Sequence, residues 1–370
     1  MKTNNVIFRL MTKLFIHLLF LISPAFLLAQ ATDYNNLDNW EDICYCETID
    51  AYHPEYIVRA DNNWQLLLAM KNGLTRKQLD SLKIPYTRSQ LFLLETQRLL
   101  TLTKNVYKTS IPILDSVQTA NLRKQSKLVA NDVYPEIEKP CRDLIAHLSE
   151  TNRANNAYSI LFSYVLDGLI WKRFEKENIT EKWSGTGVWS GNYWFLTPKR
   201  LFDCGGTNFW NDDEKGFEFN WNWSPVEDVT GGLWKVNIDA LFSLAQGNSI
   251  PTKEIIDEFG KFGFFDKNLN LTIPVINEKE NNTLCLLSNN IIDKLFAAFL
   301  TKTNIDALKT SYDFNDNNET IIVFYHEFLF DLMDVLLEKQ VIQLPKAFQS
   351  PDKATLTDVA DLCFIVIQDI

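Results

Sequence analysis

Positive charge is what this 370-residue chain is short of: 36 lysines and arginines face 47 aspartates and glutamates, a net charge of −11 at pH 7. A nucleic-acid backbone is held by basic groups that release its counterions, so an acidic chain is not expected to bind DNA or RNA. Long apolar runs are missing too. Beyond residue 29 no stretch approaches the ~18 uninterrupted apolar residues of a membrane span, so no integral membrane segment is expected there. Complete catalytic signatures are also absent: there is no G-x-S-x-G elbow and no phosphate-binding loop, and Ser184-Gly185-Thr186-Gly187 lacks the third glycine of a dinucleotide fingerprint. No cofactor is expected, and the sequence leaves open whether the chain is an enzyme.

The first 29 residues read as a cleavable secretory signal. Lys2, Arg9 and Lys13 precede an apolar run from Leu14 to Leu28, and Ala29 supplies the small residue before a cut. The mature chain is then expected in the periplasm or outside the cell, more acidic still because the leader removes only positive charges. With 46% hydrophobic and 13% aromatic residues it can bury a large core.

Six cysteines remain. In an oxidising compartment Cys44, Cys46, Cys141 and Cys204 are candidates for disulfides, while Cys285 and Cys363 sit in apolar runs that suit buried thiols. Cys44 and Cys46 are poorly spaced to bridge each other, because a one-residue loop strains the geometry. As a metal pair, Cys44-x-Cys46 lacks a second nearby Cys or His pair, so no metal site is expected.

The patterning predicts an α+β, helix-dominated fold in four parts after the signal. Residues 30–114 begin it. Trp64–Met70 is an apolar helix stopped at Gly73, Thr75 caps a second, Thr87 opens a third, and Thr101–Ile113 alternates around Lys104-Asn105 like a hairpin. Three helices followed by a hairpin resemble a winged helix-turn-helix module. The third helix of such modules commonly reads DNA, but Arg88 and Arg98 are its only basic residues here, so the resemblance points to protein contact or structure. Residues 115–180 are helical, broken at Pro135 and Pro140, with Tyr158–Trp171 as a buried helix. Residues 181–235 hold seven of the ten tryptophans and read as antiparallel β-structure. Within residues 236–370, Leu233–Ala245 just at the boundary, Lys253–Phe262 and the hairpin-like Phe264–Ile276 repeat the winged-helix plan. The endings Ser110-Ile111-Pro112-Ile113 and Thr272-Ile273-Pro274-Val275 match closely. Helices return over Ile291–Gln340, split by a polar loop at Asp313–Glu319.

The aromatic segment is the natural place for a ligand. Trp189, Tyr193, Trp194 and Trp210, near glycines and polar groups, are the expected contacts for a glycan, a peptide or an envelope protein. At least Trp189 and Trp194 should then be exposed, whereas the alternating Phe217-Glu218-Phe219-Asn220-Trp221-Asn222-Trp223 reads as a half-buried strand. The favoured function is thus an exported binding or interaction protein. A hydrolase using Glu218 or Asp212, or Cys204 with a histidine, is the alternative, and a structural or assembly protein the third reading. His326-Glu327 begins a zinc-helix pattern, but Phe330 stands where the second histidine belongs, and Asp331 lies about 140° around the helix. Asp313–Glu319 starts like a calcium loop, yet Asn318 replaces the required glycine and Phe324 the closing carboxylate.

Overall fold

The computed structural model describes residues 36–48, 53–180, 189–200, 206–222, 232–247, 250–349 and 354–368; residues 1–29, read above as a signal, and Trp183, Cys204 and Trp223 lie outside the described residues. Strand β1 (Glu41–Thr48) leads to helices α1 (Pro54–Arg59) and α2 (Asn63–Ala69), strand β2 (Leu74–Thr75), helices α3 (Arg76–Ser81) and α4 (Arg88–Thr96), and the hairpin β3 (Leu100–Thr103) and β4 (Val106–Thr109). Strand β5 (Ile113–Leu114) enters the long helix α5 (Ser116–Glu150), followed by α6 (Ala157–Ser159), a π-helix (Ile160–Leu169) and α7 (Ile170–Lys176). The aromatic segment supplies β6 (Trp189–Leu196), β7 (Thr207–Asp212) and β8 (Phe217–Asn222). Then come α8 (Ile238–Ala245), α9 (Lys253–Gly260), β9 (Val275–Asn277), α10 (Thr283–Lys302), α11 (Ile305–Tyr312), α12 (Asn317–Glu338), α13 (Lys346–Gln349) and β10 (Cys363–Ile367). Helix dominates and the sheets are small, the α+β class expected. Two compact units share the chain: Met1–Ile43, Pro54–Ser116 and Phe195–Lys199 form the first, and Cys44–His53, Val117–Trp194 and Arg200–Ile370 the second.

In the first unit the helix starts are written locally. Thr75-x-x-Gln78 and Thr87-x-x-Gln90 are capping boxes, in which each threonine oxygen accepts the N–H three residues on and each glutamine oxygen accepts the threonine N–H at 2.8 Å. Lys104 and Asn105 both have positive φ, the turn that matches the twist of a two-residue hairpin. Strand β4 pairs with both β2 and β3, giving the order β2-β4-β3. Helix, strand, two helices and hairpin follow one another here, with the first strand beside the last. Its core is aliphatic: Leu66, Leu67, Met70, Leu79, Leu91, Leu94 and Leu99 are buried, and Thr109 Oγ1 donates to Leu67 O at 2.6 Å.

The second unit departs from expectation in two places. Helix α5 runs unbroken through Pro135 and Pro140. An internal proline costs about 3 kcal/mol, but one face of α5 buries Leu122, Ala130, Val133, Ile137, Leu144 and Leu148, and that burial outweighs the missing hydrogen bonds. The strand β8 is buried on both faces, not one. Phe217, Phe219 and Trp221 pack against Phe259, Phe262, Phe264 and Val359, while Asn220 and Asn222 are enclosed on the other face, where Asn222 Nδ2 donates to Ser163 Oγ at 2.9 Å. The cause is its central place in the sheet β7-β8-β10-β9 against the π-helix. Of the run Tyr158–Trp171 read as a buried helix, Tyr158–Leu166 is buried throughout and Asp167–Leu169 is half-buried.

The repeated Ile-Pro endings have a structural counterpart. Ile113 pairs in parallel with Phe195, and Phe195 N–H donates to Pro112 O at 3.0 Å. Val275 pairs in parallel with Ile365, and Ile365 N–H donates to Pro274 O at 2.9 Å. Each proline sits where a strand begins and its missing N–H is not needed. The resulting sheets have corresponding orders, β1-β6-β5 and β8-β10-β9. The second module itself is reduced: α8 and α9 form, but among the described residues its hairpin is a single bridge, Phe265 to Leu271.

Candidate functional site

Strand β1 reads Glu41-Asp42-Ile43-Cys44-Tyr45-Cys46-Glu47-Thr48. Side chains two apart on a strand share a face, so both thiols point one way and Tyr45 the other. Tyr45 anchors the strand. Its ring lies 4.4 Å from Trp171 and 5.3 Å from His326, and burial, with Asp167 and Glu175 nearby, holds its hydroxyl protonated. His326 is itself stacked on Trp171 at 5.1 Å and met edge-on by Trp194 at 5.0 Å, with Nδ1 2.7 Å from Ile322 O.

The backbone of β1 at Tyr45 and Cys46 is seated against Gly191, whose φ of +118° few other residues adopt. A Cβ there would lie 2.6 Å from Cys46 Cα and run into Tyr45 O, so glycine is what lets the strands close. The chain then returns to place His53, just before α1, with its ring edge-on to Tyr193 at 6.5 Å. Ligand atoms of Cys44, Cys46 and His53 all lie within 4.8 Å of one another. Two bonds of about 2.3 Å at a tetrahedral angle set sulfurs about 3.8 Å apart, so an ion would draw the donors in by about 1 Å or less. All three residues are half-buried. The Cys46 thiol is pushed below its ordinary range by its hydrogen bond with Cys44, against the opposing effect of burial. Two sulfurs and an imidazole are the donors of zinc and other thiophilic cations.

Sequence reasoning rejected a metal at Cys44-x-Cys46 for want of nearby ligands. The structure places His53 beside the pair, and its spacing of seven residues from Cys46 matches no compact motif. Cys44, Cys46 and Cys141 are thiols in the structure, so the disulfides expected of them are not formed; Cys204 lies outside the described residues. A strand spaces Cys44 and Cys46 at about 6.6 Å between Cα atoms, the far edge of disulfide geometry. Cys141 is enclosed in α5, where burial raises its pKa to about 12.

The aromatic contacts expected from sequence are placed differently. Trp189 is 7% exposed, Tyr193 1% and Trp194 0%, while Trp210 is half-buried, so the exposure expected of Trp189 and Trp194 is absent. The physical reason is that β6 carries their rings into the interior, Trp194 onto His326. Trp234, which was not singled out, is 55% exposed and rests edge-on against Trp221. Asp212 pairs with Phe217 and Asn211 with Glu218, which sets the two carboxylates on opposite faces of the sheet. Asp212 is held below the usual carboxylate range by Lys215, whereas burial pushes Glu218 up.

Glu327 is fully enclosed and held by Arg123 Nε at 2.8 Å and Arg200 Nη2 at 2.7 Å. Asp331 takes Arg200 Nη1 at 3.2 Å and the Ser126 hydroxyl. Burial works against the Arg200 charge, but Glu327 and Asp331 outweigh it and keep the guanidinium protonated. These acids are therefore committed to an internal ion cluster. Asp316 caps α12, and Glu319 accepts from Asn315, which accounts for the calcium-like loop. No protein-family profile, curated protein or solved structure matches the chain.

Proposed function

We propose that this chain is an exported binding protein whose ligand is a thiophilic metal ion, with Zn²⁺ as the reference ion, held by Cys44, Cys46 and His53. The observation that carries the reading is the approach of two sulfurs and one imidazole nitrogen within 4.8 Å, on a strand clamped by Tyr45 on one face and Gly191 along its backbone. Export strengthens it. A Cys-x-Cys pair too far apart to bridge easily, in an oxidising compartment, is protected when a metal occupies its thiolates.

The test is metal content and affinity. The mature protein, prepared reduced and metal-free, should bind Zn²⁺ at one ion per chain. Cys44→Ser together with Cys46→Ser should abolish that binding, and His53→Ala should weaken it by about 10-fold or more, with the fold unchanged by circular dichroism. Retention of stoichiometric Zn²⁺ by the double serine variant overturns the reading, as does a wild-type chain that binds none.

A further inference from the structure

We infer that Asp167 of the π-helix is a positioning residue of the metal site: it aims Trp171, and Trp171 with His326 holds Tyr45, the ring that sets the two thiols. The inference rests on the metal reading above, and every residue in it belongs to the second compact unit. Neighbouring side chains on a strand take opposite faces, so an anchored ring between Cys44 and Cys46 fixes the twist and depth at which both thiols are presented. Tyr45 is that ring, 4.4 Å from Trp171 and 5.3 Å from His326.

Each of the two rings behind Tyr45 is oriented by a hydrogen bond of its own. Trp171 Nε1 donates to Asp167 Oδ1 at 3.3 Å, and Thr207 Oγ1 donates to Asp167 Oδ2 at 3.0 Å from strand β7. The carboxylate is thereby held at both oxygens. His326 Nδ1 lies 2.7 Å from Ile322 O, and its ring stacks on Trp171 at 5.1 Å. Strand β6 ties this layer to the donors, since Trp194 meets His326 while Gly191 and Tyr193 reach Cys46 and His53. The wide turns of π-helices recur at functional sites, and Asp167 lies in the last turn of this one. Loss of an outer group that orients the ligands costs a metal site about 10–100-fold in affinity.

The test is Zn²⁺ affinity, read by competition with a chromophoric chelator on the reduced, metal-free mature protein. Asp167→Ala should weaken binding by about 10-fold or more, and Asp167→Asn, which still accepts the indole N–H and meets the Thr207 hydroxyl, should recover most of that loss. Trp171→Phe removes the indole donor and should weaken binding to a similar degree. Adding Asp167→Ala to it should then cost less than about 3-fold more, because the two act through one contact, while Leu94→Ala, in the core of the first unit, should stay within about 2-fold of wild type. Should Asp167→Ala fail to fold by circular dichroism, Trp171→Phe and Asp167→Asn decide, the first weakened and the second not. Wild-type affinity in folded Asp167→Ala, no recovery in Asp167→Asn, or losses that simply add in the double variant overturn the inference and leave the metal reading standing. An equal loss in Leu94→Ala overturns it too, since binding then follows overall stability. A wild-type chain that binds no Zn²⁺ overturns the metal reading itself.

Discussion

The two segments of helices and a hairpin-like turn, residues 64–113 and 233–276, share an exit and differ in what closes them. The first is closed by hydrogen bonds: a three-stranded sheet, two capping boxes, and Gln90 Nε2 donating to Asn62 Oδ1 at 2.9 Å. The second has one bridge, held by Thr272 N–H to Phe264 O at 2.9 Å and Asp266 N–H to Asn270 O at 3.0 Å, and Thr252 caps its helix α9 at 3.5 Å. Aromatic packing takes over there, with Phe259, Phe262 and Phe264 laid on Phe219 and Trp221. A similar local pattern can thus be completed by its own strands or by a neighbouring sheet, and the surroundings decide which. The sheets that receive the two exits differ in the same sense. β6 has a glycine where β1 approaches, and β10 is an unbroken apolar run paired side chain to side chain with β8.

The largest expected effect is on the borrowed closure. Trp221→Ala should destabilise the protein by about 3–5 kcal/mol in urea unfolding and strip amide protection from α9, while β2, β3 and β4 stay protected. If α9 keeps its protection, the second segment stands alone and the contrast fails. Leu94→Ala, in the aliphatic core of the first segment, should cost about 2–4 kcal/mol and act in the opposite place, releasing β3 and β4 amides and sparing α9. Gly191→Ala should cost about 1–3 kcal/mol through the strained φ and the displaced Cys46, and should weaken Zn²⁺ binding as well; equal metal affinity in both proteins would show that the close approach does not position the thiols. Thr87→Ala should remove about 1 kcal/mol, and Thr252→Ala, whose cap is longer, about half of that. Equal losses would remove hydrogen-bonded capping as a distinction between the segments.

Acid supplies the smallest test, because neither segment contains a histidine. Burial pushes the His326 imidazole below its usual 6.5. The unfolded chain then takes up a proton that the folded chain refuses, so this contribution to stability is full above about pH 6.5 and is lost as the pH falls below it. Urea midpoints at pH 7.5 and 5.5 should differ less in His326→Phe than in the wild type. An unchanged difference would assign the acid sensitivity elsewhere.

What could be read in advance was local. Thr75 and Thr87 marked helix starts, Lys104-Asn105 marked a hairpin, Phe217-x-Phe219-x-Trp221 marked a strand, and Asp313–Glu319 marked an interhelical loop. Each depends on residues within one or two turns of chain. The errors share a different origin. Tryptophans near glycines were read as a surface because turns are usually exposed, yet Trp194 is enclosed by groups more than a hundred residues away, His326 among them. Glu218 and Asp212 were each offered as a hydrolase carboxylate, and the register puts them on opposite faces.

By itself the sequence determined the helix-dominated α+β class, the helix starts at Thr75 and Thr87 and the alternation of Phe217–Trp221, because these follow from backbone period and neighbouring hydrogen bonds. Tertiary structure alone decided the rest. It carried α5 through two prolines by burying one face, enclosed Asn220 and Asn222 by making β8 central, and spent Glu327 and Asp331 on Arg123 and Arg200. It also brought His53 to the two thiols, since no rule of spacing sets where a chain returns after leaving a strand; packing on Gly191, Tyr193 and Trp171 does.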